Sequence, residues 1–461
     1  MSSISALTDT EEQQDDIFSL SRRYASFLQH NNREFREELY EVHGPQDIPY
    51  RTMSWNMAYY AMTAETVALG VLSLPSVFSN LGYVPGVLLV LSFGILSTYT
   101  GFNLGQFRLN HPEVCNFGDA GYVLKKRWGR FLCSTGLCLF LIFLVGAHCL
   151  AGSIAMESWT NHQFCRLLGA LIFALVGFIL SLPRTLRGVS YMSVVSILSI
   201  CCALLFTGIA LIVQRPTDTL FQSPKAFMTN VSFSSCLVSI MDVIFAYAGH
   251  LAFFNFIAEM RDPKDFSRAL FGLQITDMTI YLLTGTIMYA FGGGSLTSPI
   301  ISTVRSSTLR QIAYGLATPM IIIAGVIYAH IAAKFLFFRL IPGRYSFHFR
   351  RHTYLSWVIW STLCALIWCL GWLISEAIPF FNELLSLTAS LYASQFTYGL
   401  SGVFWLFDHR GERRPLWMLL NVFIVILGLV IMVLGVYSSI VEIIHKRETT
   451  HSFGLFSCSF G

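Results

Sequence analysis

The stretch NMAYYAMTAETVALGVLSLPSVFSNLG, from Asn56 to Gly82, decides how the rest of the chain is read. It is long enough to cross a bilayer, because about 20 residues at about 1.5 Å rise cover a hydrocarbon core about 30 Å thick. It departs from a plain membrane anchor in three places. Glu65 falls near its middle, where an ionisable side chain is costly and usually functional. Gly70 weakens the helix, and Pro75 withholds a backbone donor one turn later. A helix interrupted at that depth leaves N–H and C=O groups unpaired, tolerable only where they line a cavity or bind something. Broken helices of this kind form substrate sites in secondary transporters. The competing reading is an ordinary helix with a packing glycine and a proline kink.

Composition agrees with a membrane setting. The chain has 461 residues, 54% hydrophobic, 15% aromatic and 12% charged, with a mean hydropathy of +0.59. A soluble domain carries about 25% charged residues. The eleven cysteines are scattered through apolar segments without a CxxC pair, and Cys201 and Cys202 are adjacent. That pattern suits neither a zinc site nor a disulfide framework, so the cysteines read as buried small hydrophobes. No metal and no cofactor is expected.

Residues 1–52 are polar, with an acidic patch at Glu11, Glu12, Asp15 and Asp16 and no apolar signal segment. They read as a cytosolic tail, followed by a transmembrane domain over 53–443 and a short, non-cytosolic tail over 444–461. Within the domain, apolar segments predict eleven spans near 54–79, 83–106, 131–156, 163–182, 188–213, 235–260, 268–292, 310–337, 353–376, 379–406 and 416–443. With the N-terminus inside, eighteen Lys and Arg fall on the cytosolic side and seven on the other. This asymmetry fixes the orientation, because basic residues in short loops stay in the cytosol. The one Asn-x-Ser/Thr sequon, at Asn230, falls in a predicted outer loop.

The sixth span, SCLVSIMDVIFAYAGHLAFFNFIAEM from Ser235 to Met260, repeats the features of the first. It carries Asp242 in apolar sequence, and then the helix-weakening run Ala246, Tyr247, Ala248, Gly249, His250. Spans one and six are an odd number apart and cross in opposite directions. Two broken helices at equivalent places in two inverted halves is the transporter pattern.

AETVALGVLSLPSVFSNLGYVPG (Ala64–Gly86), followed by LSTYTGFNLGQF and HPEVCNFGDAGYVL, resembles the amino acid/auxin permease family, and within it the fungal neutral amino acid permeases. The likeness covers nearly all of residues 54–443. It implies an all-α polytopic membrane protein with the five-plus-five inverted-repeat fold of the amino acid–polyamine–organocation superfamily, broken helices 1 and 6, and one extra helix. It also implies uptake of amino acids, usually driven by protons and in some relatives by sodium. Where many relatives have Asn and Gly in the first break, this chain has Ala64 and Ala68.

An amino acid must shed water from a carboxylate and an ammonium at mid-membrane, and free backbone groups are the cheapest partners. Amides from Gly70 and Val71 to Ser73 are candidates for the carboxylate. Carbonyls at Val67, Ala68 and Leu69, and at Phe245 and Ala246, are candidates for the ammonium. Val67, Phe245, Tyr247 and the group around Val145 would form an apolar side-chain pocket, beside Ala248 and Gly249. No charged side chain lies within either break, which favours a neutral aliphatic or aromatic substrate. Glu65, Asp242 and His250 are candidates for proton coupling, with His148 and Asp277 as further ones; each has a plain structural reading as a satisfied core group. The eighth span after Pro319 has no Ser or Thr, so the hydroxyl ligands of a sodium site are missing, and His330 or Lys334 is a candidate to supply a cation in the ion's stead. The expected partners are a neutral amino acid, a proton and the bilayer, with no nucleic acid. The expected location is the plasma membrane, with the vacuolar membrane as the alternative. A transport-dead sensor and a sodium-coupled transporter remain open, whereas an enzyme is disfavoured because the buried acids and histidines are dispersed.

Overall fold

The computed structural model describes residues 51–161, 163–184, 186–214, 222–229, 231–340 and 353–449. The tail 1–50, Asn230, the basic loop around His348 to His352 and residues 450–461 lie outside the described residues. The first interrupted span is two helices, α1 (Trp55–Thr66) and α2 (Leu69–Leu81), bent by 49°. They are followed by α3 (Tyr83–Asn110), α4 (Phe117–Trp159), α5 (Arg166–Leu180) and α6 (Leu186–Val213). The second interrupted span is α7 (Phe233–Ala246) and α8 (His250–Glu259). Beyond it lie α9 (Phe266–Gly292), α10 (Ser307–Leu340), α11 (Tyr354–Ala377), α12 (Phe381–Thr388), a π-helical run Ala389–Gly399, α13 (Leu400–Asp408) and α14 (Pro415–Thr449). Among the described residues there is no strand, only one isolated bridge between Met53 and Met260. Counting α7 and α8 together, seven of the described helical spans are long and apolar enough to cross a membrane, or eight if α1 and α2 also count as one bent span.

Four α-helix starts are capped by side chains. Ser54 accepts from the Met57 amide, Asn116 from Asp119 and Ser232 from Ser235, and Thr353 and Ser356 form a capping box. Large apolar side chains such as Ile95, Leu198, Leu205 and Val433 are exposed on the outward faces of α3, α6 and α14, as a lipid-facing surface requires.

The packing carries the pseudo-symmetry. Four of the five spans of the first half pack on their counterparts in the second: α2 on α7, α3 on α9, α4 on α10 and α5 on α11. Likewise α1 rests on α6 as α7 rests on α12 and the π-helical run. This is the mutual burial expected of two inverted halves around a shared centre.

Several details depart from the sequence reading. The third span is preceded by a helical segment from Phe117 that reverses at Lys125 and Lys126, where Lys126 takes φ 47°. The tenth span is three pieces, with Ser390 and Ser394 donating back to carbonyls four residues earlier and Gln395 Nε2 donating to Gly428 O at 2.9 Å. The last helix continues past 443 to Thr449. Cys165 belongs to a disulfide rather than to the apolar filling. Beside Pro319, inside α10, Ser199 Oγ of α6 donates to Leu316 O and accepts from the Met320 amide at 3.2 Å.

Candidate functional site

The two breaks meet face to face. A Cβ added at Gly70 would lie 2.6 Å from Ala246 Cα, and one added at Gly249 would lie 2.4 Å from Thr66 Cγ2. Each glycine therefore supplies room for the other break. Gly249 has ordinary helical angles, φ −66° and ψ −9°, so close approach rather than backbone freedom requires it. In the first break Val67 closes α1 with its amide on Thr63 O, and Ala68 has φ −120° and ψ −118° before α2 begins. No side chain caps α2. Its first-turn amides, from Leu69 through Val71, have no acceptor within the helix by helix geometry.

The carbonyl ends are held by tyrosines. Tyr281 of α9 places its hydroxyl 2.7 Å from Ala246 O and 3.0 Å from Thr66 O, so one phenol spans the C-terminal ends of both broken helices. Tyr328 of α10 donates to Glu65 O at 2.9 Å. Thr66 Oγ1, on the last residue of α1, donates to Asp277 Oδ1 at 3.1 Å. A buried hydroxyl on a carbonyl settles that group's hydrogen bonding without adding charge.

Between the breaks lies a cavity of about 10 Å³, room for about one water molecule. Glu65, Thr66, Ala68, Leu69 and Gly70 line it from the first break, Phe245, Ala248 and Gly249 from the second. Leu144 and His148 of α4 and Tyr328 of α10 close the remaining side. Both Glu65 carboxyl oxygens are buried without a hydrogen-bond partner, and Glu65 is within Coulombic reach of Asp277. His148 Nδ1 donates to Leu144 O at 2.8 Å, leaving Nε2 without a partner beside the Tyr328 ring, 5.4 Å between centroids.

Other expected residues sit apart from the cavity. Val67 and Val71 are buried in helix packing. Ala246 offers a carbonyl already engaged by Tyr281. Tyr247 packs edge-on against Tyr281 and donates to Val90 O at 3.0 Å. Val145 faces α11, against Gly371. His250 Nε2 donates to Ser97 O at 2.9 Å, with Thr100 Oγ1 at 3.1 Å, which anchors α8 to α3. Asp242 lies one turn before the second break, near Glu383 of α12. Lys334 forms a buried ion pair with Glu259 at the end of α8, and His330 packs edge-on against Trp360. The Lys334 charge is thus matched by an acid of α8. Tyr281 and Tyr328 were not singled out as site residues in the sequence, although both carry a polar tip on an apolar body, the side-chain type that needs a partner when buried.

The match to known proteins covers this whole framework. A family model for transmembrane amino acid transporter proteins matches residues 51–441. The chain is 29% identical over 421 residues to the N amino acid transport system protein of Neurospora crassa, covering 89% of each. It is 25% identical over 410 residues to the amino acid transporter AVT3C of Arabidopsis thaliana, covering 82% of this chain and 88% of that one. Among solved structures it is similar to MHP1, a nucleobase–cation-symport-1 family transporter in a closed conformation with bromovinylhydantoin bound. There the TM-score is 0.55 at 13% identity, over 90% of this chain and 98% of the other. The likeness shows a shared transporter fold, built on inverted repeats. With its family model matched from the α1 lead-in to the last helix, the chain belongs to the transmembrane amino acid transporter family.

Proposed function

We propose that this chain imports neutral amino acids as a proton symporter, through eleven spans with a cytosolic N-terminus in the plasma membrane. The observation that carries the reading is the uncapped start of α2, next to the partnerless Glu65 carboxyl, in a cavity whose other lining is small or apolar apart from Thr66, His148 and Tyr328. The α2 amides suit a carboxylate, since a helix N-terminus favours an anion. Leu69, Phe245 and Leu144 suit an uncharged side chain. Helical chain lies over every expected span, which supports the eleven-span count. The N amino acid transport system protein and AVT3C are named as amino acid transporters, which supports the substrate class.

Proton coupling rests on the acids. Glu65 and Asp277 have no cationic partner among the described contacts, and burying two uncompensated charges is costly. A proton bound at Glu65 offsets that cost, and its gain or loss is felt by α1 through Asp277 and Thr66. Asp242 is the second coupling group and His250 the link to α3. Against sodium, α10 reaches the first break through Tyr328, whose hydroxyl donates to Glu65 O and is one oxygen where a hard cation needs about six.

Uptake by purified protein in proteoliposomes, screened over the amino acids with and without an imposed pH gradient and with choline replacing sodium, tests this. Accumulation of neutral amino acids under a pH gradient without sodium is expected. A large drop on sodium removal at constant pH would refute the coupling, and preferential uptake of charged amino acids would refute the specificity.

A further inference from the structure

A second group of ionisable side chains lies away from the cavity. Asp242 on α7 is fully buried, and neither of its carboxyl oxygens meets hydrogen-bond geometry, although the Asn382 amide faces it. Glu383 on α12 is also buried, with a side chain 3% exposed. Its Oε1 takes Lys446 Nζ of α14 at 2.7 Å, while Oε2 has no partner. Lys446 is 42% exposed. From Lys446 to Asp242 the groups thus run from solvent to full burial, and Glu383 and Lys446 are the charges within Coulombic reach of Asp242.

None of the other charged groups on the elements packed on α7 is within Coulombic reach of Asp242. Helix α2 has no ionisable residue. On α3, Tyr83, Tyr99 and Arg108 are present, and in the π-helical run Tyr392 and Tyr398, the latter paired with Ser97 at 3.0 Å. On α14, Glu442 is taken by Ser234 and Ser235 at the start of α7, Arg447 donates to Ala377 O at 2.7 Å, and Tyr437, His445 and Glu448 complete the set.

Resting on the proton-symport reading above, we propose that Glu383 and Asp242, capped by Lys446, form the outer proton-loading path of this transporter. A proton from external water forms an O–H bond at the free Glu383 Oε2, displacing the charge that Lys446 balances. It then passes to an Asp242 oxygen, and Glu383 returns to carboxylate and recloses on Lys446. Asp242 lies four residues before Ala246, whose carbonyl Tyr281 holds. Loading Asp242 therefore removes a buried charge within one helical turn of the second break, which eases the movement of α7 against α2.

The test is the external pH profile of uptake by the full-length protein, with the best-transported amino acid of the screen as probe. Lys446→Met removes the cation that favours carboxylate at Glu383, so half-maximal uptake should move to higher pH by about one unit. Glu383→Gln removes both the entry carboxyl and the negative neighbour of Asp242, so gradient-driven accumulation should fall sharply and the remaining midpoint should move to lower pH by about one unit. Asp242→Asn should abolish gradient-driven accumulation yet keep counterflow exchange. Lys446 is partly exposed, so its variant is expected to fold; counterflow at constant pH reports folding for all three. A structural role would lower the maximum without moving the midpoint. If the wild type responds to a pH gradient and both charge variants keep its midpoint, the loading path is refuted while proton symport stands. If the wild type shows no response, both are refuted.

Discussion

Gly249→Ala should cripple transport, and Thr66→Ser should restore it. The new methyl carbon would sit 2.4 Å from Thr66 Cγ2, so roughly 1 Å of separation must be found to reach ordinary contact. Thr66 cannot simply rotate away, because its hydroxyl bonds Met62 O and Asp277 Oδ1, both at 3.1 Å. Overpacking of this kind costs about 1–3 kcal/mol. If about 2 kcal/mol falls on the transporting geometry, uptake efficiency drops by about 30-fold. Serine at 66 keeps the hydroxyl and removes only the clashing methyl, so Gly249→Ala/Thr66→Ser should recover to within a few-fold of wild type. Gly70→Ala should be equally damaging and should not be rescued, because its obstruction is the Ala246 backbone. Gly315→Ala, with nothing within 4 Å, is the control. Initial uptake rates normalised to surface protein decide the matter. Wild-type uptake in Gly249→Ala would show that the breaks do not pack as described, and failure of Thr66→Ser to rescue would remove Thr66 from the explanation.

Glu65→Gln should fold normally and keep exchange but lose accumulation under a pH gradient; persistence of that accumulation would make Glu65 structural. Tyr281→Phe strands the Ala246 and Thr66 carbonyls, at about 1–3 kcal/mol, and should lower both melting temperature and uptake; an unchanged melting temperature would mean that water replaces the phenol at no cost. Lys334→Met leaves the buried Glu259 charge unpaired, at about 3–5 kcal/mol. Adding Glu259→Gln should recover part of that loss in thermal unfolding, and a further loss instead would show that the two side chains act independently.

The breaks were legible because acids, glycine and proline in apolar sequence violate what lipid permits. The halves were legible because Glu65 and Asp242 each precede such a run in spans of opposite direction. What joins the breaks was not. Tyr281 and Tyr328 lie more than 200 residues from the first break, and a tyrosine in an apolar helix gives no sign of which carbonyl it reaches. The reversal at Lys125 and Lys126 was not legible, because positive-φ backbone at lysine has no sequence signature. The π-helical run escaped as well; Gly428 lies so close to Ser394 O and Gly399 N of that run that a Cβ there would meet them at 2.8 and 3.0 Å.

The reciprocal fit of Gly70 on Ala246 and of Gly249 on Thr66 also bears on how such a chain can change over generations. The two halves cannot drift separately at these positions, since a larger residue in one requires a smaller one in the other. Thr66 and Gly249 can trade volume through a side chain, so compensated pairs are accessible there. Gly70 faces main chain and has no partner able to yield. Of the two glycines, position 70 is therefore the one at which no second-site change within the opposite break can make room.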